Sequence, residues 1–340
     1  MIDLIKRVSR GETLSESDAA LAMRTIMCGA AGPARIAGFA MALTMRGETV
    51  DEIVGMAKAA RQLARPVPFG SDVLDTCGTG GDGLNTFNIS TASAIVAAAC
   101  GVKVAKHGNR SASSGCGSAD VLEELGVRID LTPEDAARCL AETGITFLFA
   151  PVFHPAFRHA SGPRKELGIR TVFNLLGPLC NPARAQYQAL GVPNADLVAP
   201  MAEVLARLGV TRALVFHSED GLDELSIGAP STVVEVIDGE RRAYRFDPAG
   251  LGLPKASVAD LAGGDRAVNA DIIRRIFAGE PGPGRDIVLL NAAAALRITG
   301  HAKDWHDGLG QAARAIDSGA VTALLDKWVA VSQNRVAVPS

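Results

Sequence analysis

The sequence has little of what marks a membrane protein, a disulfide-stapled protein or a nucleic-acid binder. No run in its 340 residues approaches the roughly 18 apolar residues of a membrane span, and the most apolar stretch, 94–105, is broken by Gly101 and Lys103. No long apolar run follows Lys6 and Arg7, so no signal peptide is expected. The six cysteines (Cys28, Cys77, Cys100, Cys116, Cys139, Cys180) are scattered, with no C-x-x-C pair and no zinc spacing. Free thiols in a reduced, cytoplasmic protein are the reading. Neither sign of charge is in excess: 34 basic against 37 acidic residues leave a net charge of −3. That balance gives no global pull toward nucleic acid or an anionic membrane. Internal repeats and low-complexity tracts are missing too.

What is present is a hydrophobic content of 48%, ample for one large domain or two unequal ones. The first ~65 residues read as helices alone. Ser15 with Asp18 resembles a capping box ahead of Ala19, Met23, Ile26 and Met27 at helical spacing. Pro33 suits the first turn of a second helix, which stops near Gly47. Thr49 with Glu52 opens a third, which Pro66 ends. Residues 65–72 read as a linker, and strands and helices alternate beyond it. Short strands are expected at Val73–Asp75, Val102–Ala105, Ile145–Ala150 and Ala213–Phe216, with helices at Thr91–Cys100, after Ser118 and Thr132, and over Ala195–Leu208. Thr232–Ile237 and Arg241–Phe246 flank Asp238-Gly239, the strongest hairpin signal in the chain. The last ~70 residues are again helical. The fold class is α/β: a larger α/β domain with a central, mainly parallel sheet, plus a smaller all-helical domain or dimerisation arm.

The most informative stretch is DTCGTGGDGLNTFNISTAS, residues 75–93. Gly78, Gly80, Gly81 and Gly83 let backbone N–H groups approach an anion, and the helix opening near Ser90 adds partial positive charge. Gly78, Gly80 and Gly83 also satisfy G-x-G-x-x-G. A dinucleotide site, however, needs its helix to start within the loop and an acidic residue about 20 positions on. Here the helix starts later, and residues 98–104 carry Lys103 and no acid. A tight turn explains one or two glycines but not four in six residues. Asp82 would repel a bare phosphate, and suits ribose hydroxyls or the surroundings of a metal.

Next comes KHGNRSASSGCGSADVLEELG, residues 106–126. A strand ending at Ala105 would deliver Lys106, His107, Asn109 and Arg110 together, with Ser111, Ser113 and Ser114 on the same flexible segment. Such a loop can surround a phosphate with charge-assisted hydrogen bonds. A solvated charged turn accounts for the cations but not for so many small hydrogen-bonding residues. Further on, Asp223 and Glu224 lie in a glycine-containing loop behind a strand. Adjacent carboxylates there suit Mg²⁺, which takes oxygen ligands and bridges to phosphates. Alone, this segment fits a solvated acidic loop equally well; beside the glycine and basic loops, metal binding is favoured.

The segments G-T-G-G-D, N-x-S-T and K-H-G-N-R, at these separations, resemble the anthranilate phosphoribosyltransferase family. The resemblance runs on through residues 148–160, 164–183, 219–226 and 286–300 and covers essentially the whole chain. It implies transfer of the 5-phosphoribosyl group from 5-phosphoribosyl 1-pyrophosphate to the amine of anthranilate, in tryptophan biosynthesis. Two Mg²⁺ ions per active site, and a homodimer formed through the helical domain, are also implied. So is a discontinuous small domain, 1–68 completed by helices from about 163–188, beside a larger one of 71–160 and 189–340. Donor contacts would come from Gly78, Gly81, Asp82, Thr86, Asn88, Ser90, Thr91, Lys106, Asn109, Arg110, Ser113, Ser114 and Ser118. Metal would be held by Asp223, Glu224 and Ser90, although Ser90 also suits a plain helix cap. The acceptor would meet Gly78, Asn109 and Arg164, whose planar guanidinium suits a carboxylate. His107 and His154 would line its channel or serve as hydrogen-bonded structural histidines, with His107 the candidate for positioning the acceptor; neither is expected to act as a general base. The chain departs from the family at Gly115 and Cys116, where lysine and serine are common, and at Ser161-Gly162-Pro163, where the proline has moved next to Arg164. Two alternatives stand beside this reading: a pyrimidine nucleoside phosphorylase-like enzyme that needs no metal pair, and a non-catalytic relative that binds nucleic acid.

Overall fold

Four helices open the chain: α1 (Ile2–Ser9), α2 (Glu16–Met27), α3 (Pro33–Arg46) and α4 (Val50–Gln62). Their starts are fixed by local chemistry. Ser15 Oγ accepts from the Asp18 N–H at 3.2 Å. Thr49 and Glu52 form a reciprocal capping box. Glu52 is fully buried, and its second oxygen accepts from the Leu14 N–H at 2.8 Å while Arg46 neutralises it. One carboxylate therefore caps α4 and ties it to the entry of α2. The two helices lie so close that a Cβ on Gly55 would collide with the Glu16 carbonyl.

In this computed structural model residues 1–111 and 115–334 are described. After residue 73 come β1 (Leu74–Gly78), α5 (Ile89–Ala99), β2 (Val104–Gly108), α6 (Ser118–Glu124), α7 (Pro133–Thr143), β3 (Ile145–Phe149) and α8 (Ala150–Phe153). Two helices follow, α9 (Arg158–Leu167) and α10 (Val172–Leu179), and both pack back onto the first four. The chain continues with β4 (Tyr187–Gly191), α11 (Val198–Arg207), β5 (Arg212–Ser218), β6 (Ser231–Ile237) and β7 (Glu240–Phe246). It closes with α12 (Arg266–Phe277), α13 (Pro283–Ile298), α14 (Trp305–Asp317) and α15 (Ala320–Ser332).

The seven strands form one sheet in the order β3-β2-β1-β4-β5-β6-β7. The first five are parallel and the last two antiparallel, so the expected α/β class with a mainly parallel sheet is borne out. Side chains alternate between two cores. Leu214 and Phe216 join the cluster built on α5 and α13, while Ala213 and Val215 join the one shared with α11 and the N-terminal helices. Burial of both faces is what parallel strands require. The β6–β7 hairpin turns at Asp238 and Gly239, with φ of 50° and 88°, as the Asp-Gly signal demands.

Two expectations need correction. β2 runs on to Gly108, so Lys106 and His107 belong to a strand and not to a flexible loop. Both are buried, because the strand places them between β1 and β3. The sequence reading also passed over β4, which occupies the middle of the sheet beside β1. Residues 187 and 188 are therefore strand and not part of a helical stretch.

Candidate active site

Strand order reverses between β1 and β4: β1 continues toward β2 on one side, β4 toward β5 on the other. Ligands of open parallel sheets bind outside the carboxyl ends of the strands at such a point. The residues that close these two strands are register partners, and both are glycines, Gly78 and Gly191. The acidic loop after β5 settles over them. A Cβ on Gly78 would collide with the Asp223 carboxylate, and one on Gly191 with the Asp223 carbonyl.

The glycine loop leaves β1 under tight backbone control. The Thr79 N–H donates to the Gly191 carbonyl at 3.0 Å, and the Gly80 N–H to Asp223 Oδ2 at 3.0 Å. Gly80, Gly81 and Gly83 then take φ of 63°, 83° and 76°, the left-handed region where a side chain is costly. Among the described residues, the N–H groups of Gly81, Asp82 and Gly83 find no protein acceptor. Unpaired amides in a left-handed turn form an anion-binding concavity. Thr86 bridges to Ala262, and buried Phe87 anchors the loop in the core. α5 then begins at Ile89, six residues beyond Gly83.

Under the loop lies a cluster of charge. The carboxyl of Asp223 is pushed up to about 7, first by desolvation and then by Asp82 beside it. Glu224 is raised well above the usual carboxylate range, by desolvation and then by Asp223, while the Ser90 N–H and Lys106 oppose the rise. Lys106 is buried; its Nζ donates to the Thr76 carbonyl and, at 3.3 Å, to Ser90 Oγ. The structure therefore brings Ser90, Lys106, Asp82, Asp223 and Glu224 together, from three segments of the sequence. The three acids outweigh the Lys106 ammonium and the Arg170 guanidinium near Asp223, and this shortage of positive charge is what a divalent cation would correct. Among the described residues no three His, Cys, Asp or Glu form a ready-made metal cage. That suits Mg²⁺, which commonly uses one or two carboxylates, waters and the substrate's own phosphates. Ser90 lies in the first turn of α5 and not at its cap, which is Asn88.

Other expected donor contacts are placed differently. Asn88 spans two neighbours: its amide donates to the Cys116 carbonyl at 3.1 Å, and its oxygen accepts from Asn269 at 3.0 Å. Thr91 Oγ1 is buried without a partner, and Asn109 turns its side-chain oxygen back to the Arg110 N–H. Arg110 departs most from expectation, since it is exposed and paired with Asp120 and Glu123, at 2.8 and 3.0 Å. Those carboxylates neutralise the charge meant for phosphate. Ser118 is the first residue of α6; Gly117 is the cap, and Asp120 accepts its N–H at 2.9 Å. Ser113 and Ser114 lie outside the described residues. Gly115 fits its place closely, as a Cβ there would approach the Gly264 carbonyl at 2.9 Å.

On the other side of β1 and β2 stands a neutral group. The His107 and His154 rings lie 5.2 Å apart. His107 Nδ1 meets the Gly177 carbonyl at 3.2 Å and His154 Nε2 the Cys180 carbonyl at 2.6 Å, so each donates an N–H there. The remaining nitrogens, Nε2 of His107 and Nδ1 of His154, are buried without partners. Desolvation pulls the two imidazoles down to about 3 and about 4, which keeps both uncharged at neutral pH. Arg164, on α9, stacks its guanidinium 5.7 Å from the centre of the Phe173 ring. It is half-buried and has no carboxylate partner among the described residues. Pro163 is buried inside α9 directly before it.

Arg170 was not foreseen as a site residue. From the turn between α9 and α10 it donates to the Gly80 carbonyl and, at 3.4 Å, to that of Thr79. Nothing local distinguishes this arginine, because its partners lie 90 and 91 residues away in the sequence.

Two family descriptions cover nearly the whole chain: a glycosyl transferase family helical bundle domain over residues 2–64, and a glycosyl transferase family a/b domain over residues 70–322. The chain is 68% identical over 323 residues to anthranilate phosphoribosyltransferase 2 of Streptomyces coelicolor, spanning 95% of this chain and 96% of that one. The crystal structure of anthranilate phosphoribosyltransferase from Thermus thermophilus superposes with a TM-score of 0.91 at 47% identity, over 97% of this chain and 99% of that one. The enzyme from Saccharomyces cerevisiae, in complex with PRPP and Mg, gives a TM-score of 0.89 at 28% identity, over 98% of each chain. With these likenesses spanning both lobes and the loops between them, the chain belongs to the anthranilate phosphoribosyltransferase family.

Proposed function

We propose that this protein transfers the 5-phosphoribosyl group of 5-phosphoribosyl 1-pyrophosphate to the amine of anthranilate, releasing pyrophosphate, as a step of tryptophan biosynthesis. The observation that carries the reading is the desolvated Asp223–Glu224 pair beside the unpaired amides of residues 81–83, at the switch point of the sheet. Departure of pyrophosphate leaves positive charge on the ribose ring, so catalysis rests on holding the leaving group and placing the nucleophile. Bound Mg²⁺, two ions in this reading, supplies the positive charge that pyrophosphate needs as it leaves. Asp223, Glu224 and Ser90 would hold metal. The amides of Gly81 and Asp82 face the donor's anionic groups, and Thr91 and Lys106 complete that half. Gly78, Thr86, Asn88, Asn109, Arg110, Ser113, Ser114 and Ser118 remain proposed contacts; Arg110 would exchange its exposed pairing with Asp120 and Glu123 for the donor's phosphate.

The acceptor amine is neutral at pH 7 and needs no strong base, which agrees with imidazoles too desolvated to take a proton readily. Arg164 is the partner for the acceptor's carboxylate, and His107 and His154 wall the approach. Catalysis is expected in the cytoplasm, by a homodimer joined through the helical lobe. Exposed Ile2 on α1 and Met45 on α3, the latter 82% accessible, support that face for assembly. The lobe comprises 1–68 with α9 and α10. No helix among the described residues is long and apolar enough to cross a membrane.

The test is the appearance of product fluorescence from anthranilate and the donor across a Mg²⁺ titration. Turnover that rises with Mg²⁺ is expected. Phosphorolysis of thymidine or uridine without Mg²⁺ would overturn the assignment, as would salt-sensitive DNA binding in the absence of transfer.

A further inference from the structure

Arg170 sits where the two halves of the site meet. It follows the αL-capped end of α9, the helix that carries Arg164, and precedes the start of α10. Its guanidinium crosses to the glycine loop and donates to the carbonyls of Thr79 and Gly80. The contact fills the space over the loop, since a Cβ on Gly81 would collide with the guanidinium. The carboxylates of Asp223 and Asp82 lie near enough to favour its charge against the cost of burial.

A planar trans peptide points its C=O and N–H in opposite directions, and the described chain has no cis bond. Drawing the Thr79 carbonyl toward Arg170 therefore turns the Gly80 N–H the other way, and it does meet Asp223 Oδ2 at 3.0 Å. The next peptide obeys the same rule. With the Gly80 carbonyl held by Arg170, the Gly81 N–H must face away from the guanidinium, and it has no protein acceptor there. One side chain thus fixes two successive peptide planes, including the one whose free N–H belongs to the anion-binding turn.

We infer that Arg170 is a positioning residue that couples the two substrates: it sets the direction of the donor-binding amides from the turn that directly follows the helix carrying the acceptor's arginine. Order gained at either end is passed to the other through two hydrogen bonds, so filling one half tightens the other by a reciprocal factor. This rests on the proposed function, but its test reads binding and not turnover.

Anthranilate binding is titrated calorimetrically with and without Mg²⁺ and inorganic pyrophosphate, for the wild-type protein, Arg170→Met and Arg170→Lys. The wild-type protein should bind anthranilate more tightly when pyrophosphate is present. In Arg170→Met that ratio should fall to about 1. The donor KM should rise about tenfold, the factor for one lost charge-assisted hydrogen bond. Anthranilate affinity measured alone should hold. Arg170→Lys keeps the charge but cannot span both carbonyls; it should retain the melting temperature with a reduced ratio, and it carries the test if Arg170→Met does not fold. An undiminished ratio in a folded variant, or a wild-type ratio of about 1, overturns the inference. A wild-type protein that shows coupling yet never converts anthranilate to product would instead sink the proposed reaction.

Discussion

On the donor side of the site, carboxylates are kept from water with too little positive charge around them; on the acceptor side, imidazoles are kept from water with no proton to carry. Burial acts on both and has opposite outcomes. It raises Asp223 to about 7 and lowers His107 to about 3. In the proposed reaction the first half is left incomplete, to be finished by a metal and an anionic leaving group. The second is finished already, apart from one guanidinium that lacks an anion. A reaction that separates charge at the donor while adding a neutral amine needs this division. In that proposal electrostatic work is confined to one side, and the other would supply shape and a single carboxylate anchor.

The largest effect should come from disabling the charged half. Asp223→Asn with Glu224→Gln should lower turnover roughly 10²–10³-fold, the scale of losing a leading electrostatic contact to the transition state. Circular dichroism should show the fold intact, and a Mg²⁺ titration of the residual rate should be nearly flat. An unaltered Mg²⁺ response would remove the contrast between the halves. Next in size is Arg164→Ala. Loss of a charge-assisted contact of about 1.5–3 kcal/mol should raise the anthranilate KM by about 10–100-fold with little change for the donor. Equal changes in both constants would make Arg164 a structural residue. Gly191→Ala should cost about 1–3 kcal/mol, because the new methyl meets the Asp223 carbonyl and the acidic loop must lift. Thermal melting and a weakened Mg²⁺ dependence, with anthranilate affinity spared, would confirm that the glycine serves the donor side alone.

The smallest effect concerns pH. His107 and His154 have folded values of about 3 and about 4, below the ordinary 6.5. Their contribution to stability is therefore complete above pH about 6.5 and drains away as pH falls toward those values. Melting temperature should decline across that window. His107→Asn with His154→Asn should flatten part of the decline; an identical slope would mean that the imidazoles are not what acid attacks.

How much of this was legible depended on how local the determinant was. The Asp238-Gly239 turn and the Thr49–Glu52 box are decided within a few residues, and the sequence reading matched both. The mainly parallel sheet followed from alternating strand and helix signals. β4 escaped because it is only five residues long and the four buried ones, facing both sides of the sheet, carry no alternation. The end of β2 was misread because Lys106 and His107 look like loop residues; only the tertiary fold supplies the Thr76 carbonyl and Asp75 carboxylate that make their burial possible. The pairing of Arg110 with Asp120 and Glu123 was not legible either, because it depends on α6 packing alongside the end of β2. Arg170 was invisible for a further reason, its partners being backbone carbonyls that carry no sequence signature.

The paired glycines that end β1 and β4 bear on engineering. Because the acidic loop is seated in a notch made by two missing side chains on adjacent strands, it is not a detachable module. Transplanting residues 219–226 into another sheet would import the carboxylates without their seat, unless glycines equivalent to Gly78 and Gly191 travelled with them. Libraries aimed at new aromatic amines are better confined to α9 and α10, where sequence can vary without unseating the acidic pair.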